Sequence, residues 1–192
     1  MSPGLTVATI ACSGLAVVAA QGRSEPVSGG GRPSGAGVVL VSGRDDHGLL
    51  ATPSVALSDT PEGQPGAQVP DATLVAVVAT RGEWLEVRTI TGAAAQGWVN
   101  DFSLRAGAHL RAAAGRCNLT LAERPEGPGT IEVPANTQAK LLEVTEVGGT
   151  IWVKARPAGH PAGWIERSAV HELPGDRVVQ DQGTCRTIAR GP

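Results

Sequence analysis

Gly43-Arg44-Asp45-Asp46-His47-Gly48 is the densest run of chemical groups in this 192-residue sequence: two carboxylates and an imidazole within three residues, a donor set that suits a metal ion. Adjacent residues rarely converge on one ion without distant ligands, and glycine on both sides is ordinary turn chemistry. The expectation is therefore a solvated turn. The other histidines, His109, His160 and His171, lie outside any zinc or nucleophile motif and are expected scattered over the surface. Glu83 and Glu86 flank Trp84, but a carboxylate pair makes a glycosidase only beside a substrate cleft, for which a small module has little room. No catalytic residue, metal or cofactor is expected.

The four tryptophans carry the remaining chemistry, because aromatic rings wall the grooves in which some modules hold peptides. With no tyrosine and one phenylalanine, much of such a groove is lacking. Trp84 and Trp152 are expected to fill cores. Trp98 and Trp164 are expected to seal a rim, with the indole N–H hydrogen-bonded or wet, and form the candidate ligand-binding pair.

The elements that position these residues come from a duplication. Leu57-Ser58-Asp59-Thr60-Pro61-Glu62-Gly63 with Val69-Pro70 recurs as Leu121-Ala122-Glu123-Arg124-Pro125-Glu126-Gly127 with Val133-Pro134, at a constant offset of 64. Further on, Glu83-Trp84-Leu85-Glu86-Val87-Arg88 answers to Ile151-Trp152-Val153-Lys154-Ala155-Arg156 at 68, and Gly97-Trp98-Val99 to Gly163-Trp164-Ile165 at 66. Offsets that drift by a few residues are what loops tolerate. Thr73–Val78 and Ala139–Val144 read as short apolar or alternating strands. Trp84 to Thr89 alternates strictly, with Trp84, Glu86 and Arg88 on one face and Leu85, Val87 and Thr89 on the other. Outside the first twenty residues no helical stripe is evident, and several short strands per copy point to a small closed or nearly closed barrel.

Residues 1–20 read as a signal peptide or membrane anchor, through Leu5–Ala11 and Leu15–Ala20, with no charge in the run. No basic residue precedes it, so cleavage after Ala20 and retention of residues 3–20 in a membrane both stay open, as does lipidation at Cys12. Residues 21–36, rich in glycine and serine, read as a flexible linker. If Cys12 leaves with the signal, Cys117 and Cys185 remain, an even count in an oxidising compartment, and a disulfide between them is expected to fasten the tail, residues 175–192, to the second copy.

The net charge of −2 includes no basic cluster: residues 44–105 hold four basic and eight acidic side chains, and the rest is nearly balanced. Nucleic-acid binding is excluded on that ground. Two lysines against fourteen arginines, with abundant alanine and glycine, suggest a GC-rich bacterial genome.

A Pro-containing loop, a hydrophobic strand, a Trp-led alternating strand and a Gly-Trp-Val or Gly-Trp-Ile return together resemble the bacterial SH3 domain, SH3b, over Pro53–Leu104 and Gly115–Leu173. The resemblance implies five-stranded barrels on an exported protein, sometimes binding peptidoglycan peptides. The expected fold class is all-β: two tandem SH3-like barrels, residues 37–105 and 106–174, behind the signal and linker. The expected function is an exported, non-catalytic binding protein of the cell envelope, its partner peptidoglycan, a peptide or an exported protein. A structural accessory protein without a wall ligand is the alternative, and a hydrolase a remote one.

Overall fold

The computed structural model describes residues 37–45, 47–174, 177–181 and 184–188; the expected signal segment, linker, Cys12 and Asp46 lie outside them. Fourteen strands form two antiparallel sheets of seven. The first holds β1 (Val38–Val41), β2 (Ser54–Ser58), β3 (Pro65–Pro70), β4 (Leu74–Arg81), β5 (Trp84–Thr89), β6 (Gln96–Asn100) and β7 (Leu104–Arg105), in the order β3-β2-β6-β5-β4-β1-β7. The second holds β8 (Gly107–Leu110), β9 (Asn118–Ala122), β10 (Gly129–Pro134), β11 (Thr137–Val147), β12 (Thr150–Pro157), β13 (Gly163–Glu166) and β14 (Val170–His171), in the matching order β10-β9-β13-β12-β11-β8-β14. The chain is all-β, built of two SH3-like units. Each has seven strands where the resemblance implies five, and the Pro-Glu-Gly block forms the turn of the hairpin β2–β3 or β9–β10.

The duplication extends to backbone irregularities. The β4–β5 ladder shifts between Val77 and Ala79, and the β11–β12 ladder between Leu141 and Glu143, at the same offset as the Pro-Glu-Gly blocks. Gly63 N donates to Thr60 O at 3.0 Å and Gly127 N to Arg124 O at 3.1 Å, closing turns with Pro at the second position and Glu62 or Glu126 at positive φ at the third, the type II pattern. The glycine of the Gly-Trp motif has a steric cause. A Cβ on Gly97 would lie 2.6 Å from Ser58 O, and one on Gly163 2.7 Å from Leu121 Cβ, so the neighbouring strand can approach only a bare backbone.

Both cores are aliphatic and match position by position: Val41, Leu57, Val69, Val77, Leu85 and Val99 in the first correspond to Leu110, Leu121, Val133, Leu141, Val153 and Ile165 in the second. The alternation along β5 holds, with Leu85 and Val87 inward. The same alternation overturns the expectation that Trp84 and Trp152 fill the cores. Each stands one residue before an inward Leu or Val, so each indole lies on the outer face, half-buried.

One residue, Ala106, separates β7 from β8, and the barrels pack directly together. β1 is buried on both faces: Val39 and Val41 enter the first core, whereas Val38 and Leu40, with Leu74 beside them, join the second. Each such side chain contributes about 1.5–3 kcal/mol when taken out of water. The positions matching Leu40 on β1 and Leu74 on β4 are His109 on β8 and Gln138 on β11, by ladder register, so the second barrel offers no equivalent apolar face. Polar contacts close the junction. Arg167 Nη2 donates to Ala72 O at 2.6 Å, and Glu172 accepts from Ser42 Oγ at 2.5 Å and pairs with Arg44 and Arg105 at 3.3 and 3.5 Å.

Ala72 (φ 61°) and Asn136 (φ 66°) occupy the same left-handed turn position in the two copies. Asn tolerates this region and Ala is strained there by about 1–2 kcal/mol. Ala72→Gly is therefore expected to stabilise the chain by about 0.5–1 kcal/mol, and Asn136→Ala to destabilise it by a similar amount. Urea midpoints of the two variants measure this; the same sign for both contradicts the strain argument.

Candidate functional site: a tryptophan-walled groove on the second barrel

On the outer face of β12 and β13 the register sets Trp152 opposite Glu166 and Lys154 opposite Trp164. The two tryptophans are thus diagonal neighbours on one face, within reach of each other's rings. They line a groove of about 700 Å³ whose remaining wall includes Arg111, Arg116, Glu132 and His171. Trp164 is 8% exposed, with Lys154 Nζ 5.6 Å from its ring centroid. Lys154 also pairs with Glu143 at 3.6 Å. Trp84 and Trp98 form the same diagonal in the first barrel, where Glu86 replaces the lysine opposite Trp98 and accepts from Gln96 at 2.8 Å. One construction therefore carries opposite charges in the two copies.

The groove's polar groups are partly spent. Glu132 is bound by Asn118, and Glu166 accepts from Ser168 Oγ at 3.3 Å. His171 Nε2 lies 2.9 Å from Ser168 O, so the ring donates to a carbonyl through that nitrogen. Arg111 Nη2 donates to Leu173 O at 2.9 Å and Pro174 O at 3.4 Å, while its Nε and the Trp152 Nε1 are buried with no acceptor among the described residues. Two orphan donors in one groove suit a ligand rich in acceptors.

Of the sequence's candidate pair, Trp164 lies in this groove, and Trp98 is half-buried opposite Glu86 and Ser58. The histidines are less dispersed than expected: His109 and His171 are register partners on β8 and β14, although His109 Nδ1 turns to Asn136 O at 3.2 Å and lines a different cleft, between the barrels. Asp45 organises the Gly43–Gly48 turn by accepting from His47 N at 3.0 Å and Leu49 N at 2.9 Å, a use that ties its carboxylate to the backbone. No group of three or more metal-ligating side chains occurs among the described residues. Nor is any helix among them long and apolar enough to cross a membrane. Sequence reasoning missed Arg111, Arg116 and Trp152 as groove walls. Within the sequence Arg111 differs from its counterpart Ser42 and Arg116 flanks Cys117, whereas Trp152 repeats Trp84 and carries no such signal.

The Cys117–Cys185 disulfide is present, with Cα atoms 5.4 Å apart. It joins β16 (Thr184–Ile188), which pairs with β15 (Arg177–Asp181) in a separate hairpin, to the residue before β9. Arg116 and Asn118, on either side of Cys117, both line the groove, so the bridge also secures the groove's rim.

Among solved structures the chain is similar to NlpC2 from Trichomonas vaginalis, at 16% identity and a TM-score of 0.34 over 71% of this chain and 48% of that one. It is also similar to NlpC1 from the same organism, at 16% identity and a TM-score of 0.30 over 74% and 48%. The chain spans about half the length of each. No protein-family description and no curated protein matches it.

Two outcomes follow from this geometry. The bridge closes a sequence separation of 68 residues, for which chain entropy gives a stabilisation of about 4 kcal/mol. Cys185→Ser should lower the denaturation midpoint accordingly, and an unchanged midpoint would show that the bridge constrains nothing. The His171 pKa is lowered by burial first and by the Arg111 charge second, against the Ser168 carbonyl, which raises it. A depressed folded-state value means that the unfolded chain binds the proton more readily, so this contribution to stability is complete above about pH 6.5 and is lost as pH falls. Histidine NMR titration should show His171 below the ordinary value and rising in Arg111→Gln; a value above 6.5 in the unaltered chain refutes the assignment.

Proposed function

We propose that this chain is an exported, non-catalytic binding protein of the cell envelope, whose second barrel holds a peptide of the cell wall in the Trp152–Trp164 groove. The groove itself carries this reading: about 700 Å³ of concave surface with two indoles, two arginines and two unsatisfied buried donors is built to hold a polar chain with apolar parts. The SH3b resemblance supplies the peptidoglycan class, and the disulfide suits an oxidising, extracellular or envelope compartment. The non-catalytic part rests on His171, whose ring is tied to a backbone carbonyl beside a serine that serves Glu166.

Leu49 and Leu50, 67% and 52% exposed on the turn organised by Asp45, favour a second reading. A rigid apolar tip is suited to an exported partner protein, which would make the chain an accessory module without a wall ligand. Pull-down on purified sacculi separates the two. The full chain should be retained, Trp164→Ala should lose about tenfold or more in retention, as a central aromatic contact does, and Trp98→Ala should lose less. Retention unaffected by Trp164→Ala in a folded chain overturns the groove reading, and absence of retention by the unaltered chain overturns the wall ligand.

A further inference from the structure

The two copies can be compared atom by atom where the first strand meets the return strand. Ser42 N donates to Ser103 O at 2.8 Å in the first barrel, and Arg111 N donates to Ala169 O at 2.8 Å in the second. Val41 pairs with Leu104 as Leu110 pairs with Val170, and the residues that follow the return strands' first positions are Arg105 and His171. Ser42 and Arg111 are therefore equivalent, as are Arg105 and His171.

In the first barrel this place is already filled by a carboxylate. Glu172, its side chain 5% exposed, accepts from Ser42 Oγ at 2.5 Å and pairs with Arg105 Nε at 3.5 Å and Arg44 Nε at 3.3 Å. The carboxylate is supplied by the second barrel, from the residue just beyond β14. In the second barrel the equivalent place, between Arg111 and His171, opens onto the groove. Arg111 has no ion-pair partner among the described residues and satisfies its Nη2 on carbonyls alone. Its Nε and the Trp152 Nε1 are buried donors with no acceptor among the described residues.

We propose that the Arg111 end of the groove binds a carboxylate, with the ligand's stem lying along Trp152 and Trp164, and that the first barrel offers no such site because Glu172 occupies it. This rests on the groove being the binding site and adds the chemistry it selects. The chain then takes one ligand, not two. The carboxylate can terminate a peptide or belong to an acidic side chain; both present the same two oxygens to Arg111.

The four indole N–H signals of the ¹⁵N-labelled full chain provide the test. Titration with N-acetyl-alanyl-alanine should shift the Trp152 signal and leave Trp84 and Trp98 in place, whereas its C-terminal amide should bind about tenfold or more weakly, as expected when a charge-assisted contact is lost. N-acetylglutamic α-amide distinguishes a side-chain carboxylate from a terminal one. Arg111→Gln should abolish the shift, and Arg111→Lys serves if the glutamine variant loses its dispersed indole signals. Glu172→Ala should gain a second carboxylate site, so that acetate raises its melting temperature more than that of the unaltered chain. Equal binding of acid and amide overturns the carboxylate assignment while the groove stands, provided sacculi still distinguish Trp164→Ala. A shift of Trp98 in the unaltered chain, or no extra effect of acetate on Glu172→Ala, overturns the claim that Glu172 fills the equivalent place. If neither probe moves any indole and sacculus retention ignores Trp164, the groove reading falls as well.

Discussion

A single four-residue strand, Val38–Val41, holds the two barrels in one unit because it is buried on both faces. Val39 and Val41 point into one core, and Val38 and Leu40 are shared with the other. A strand that serves two cores cannot slip by one residue without exchanging its faces, and here both faces are apolar, so its register must come from its ladders with β4 and β7. The docking of the second barrel against Leu40 and Leu74 then brings Glu172 to Ser42, Arg44 and Arg105. Breaking that group would leave buried charge uncompensated, a larger effect than the pairing itself contributes.

The same junction makes two copies of one fold unequal. In the first barrel the outer face near β1 and the mouth beside Arg105 are covered by its partner in the chain. In the second, the corresponding strand pair carries His109 on β8 and Gln138 on β11, and the corresponding mouth opens between Arg111 and His171. Duplication thus yields one copy that supports and one that presents a groove. The disulfide at Cys117 acts on the second copy only, fixing the loop that carries Arg116.

The tryptophans show how a period can be read correctly and its consequence misread. Strict alternation from Trp84 to Thr89 separates two faces, and that separation is present in the fold. The expectation that Trp84 and Trp152 fill the cores puts the wrong face inward, because the cores are closed by Leu85, Val87, Val153 and Ala155. A small barrel has an interior that aliphatic residues already fill, and an indole fits only outside it, where its ring can lie across the neighbouring strand. The histidines were misjudged for a related reason: His109 and His171 lie far apart along the chain but opposite one another on β8 and β14, a proximity created by strand pairing.

Local chemistry was sufficient for what depends on near neighbours. The repeat offset, the Pro-Glu-Gly turns and the strand alternation all follow from residue type and spacing, because turn geometry and pleat period act over a few residues. The Cys117–Cys185 pairing followed from counting cysteines once Cys12 is assigned to the signal segment. What tertiary structure decided was every feature that needs two distant segments: the double burial of β1, the placing of Glu172 in the first barrel, and the meeting of Arg111, Trp152 and Trp164 in one groove. The first two depend on how the two sheets pack, and the sequence of either copy contains no local signal for a contact whose partner lies in the other; the groove depends on which strands pair within the second sheet.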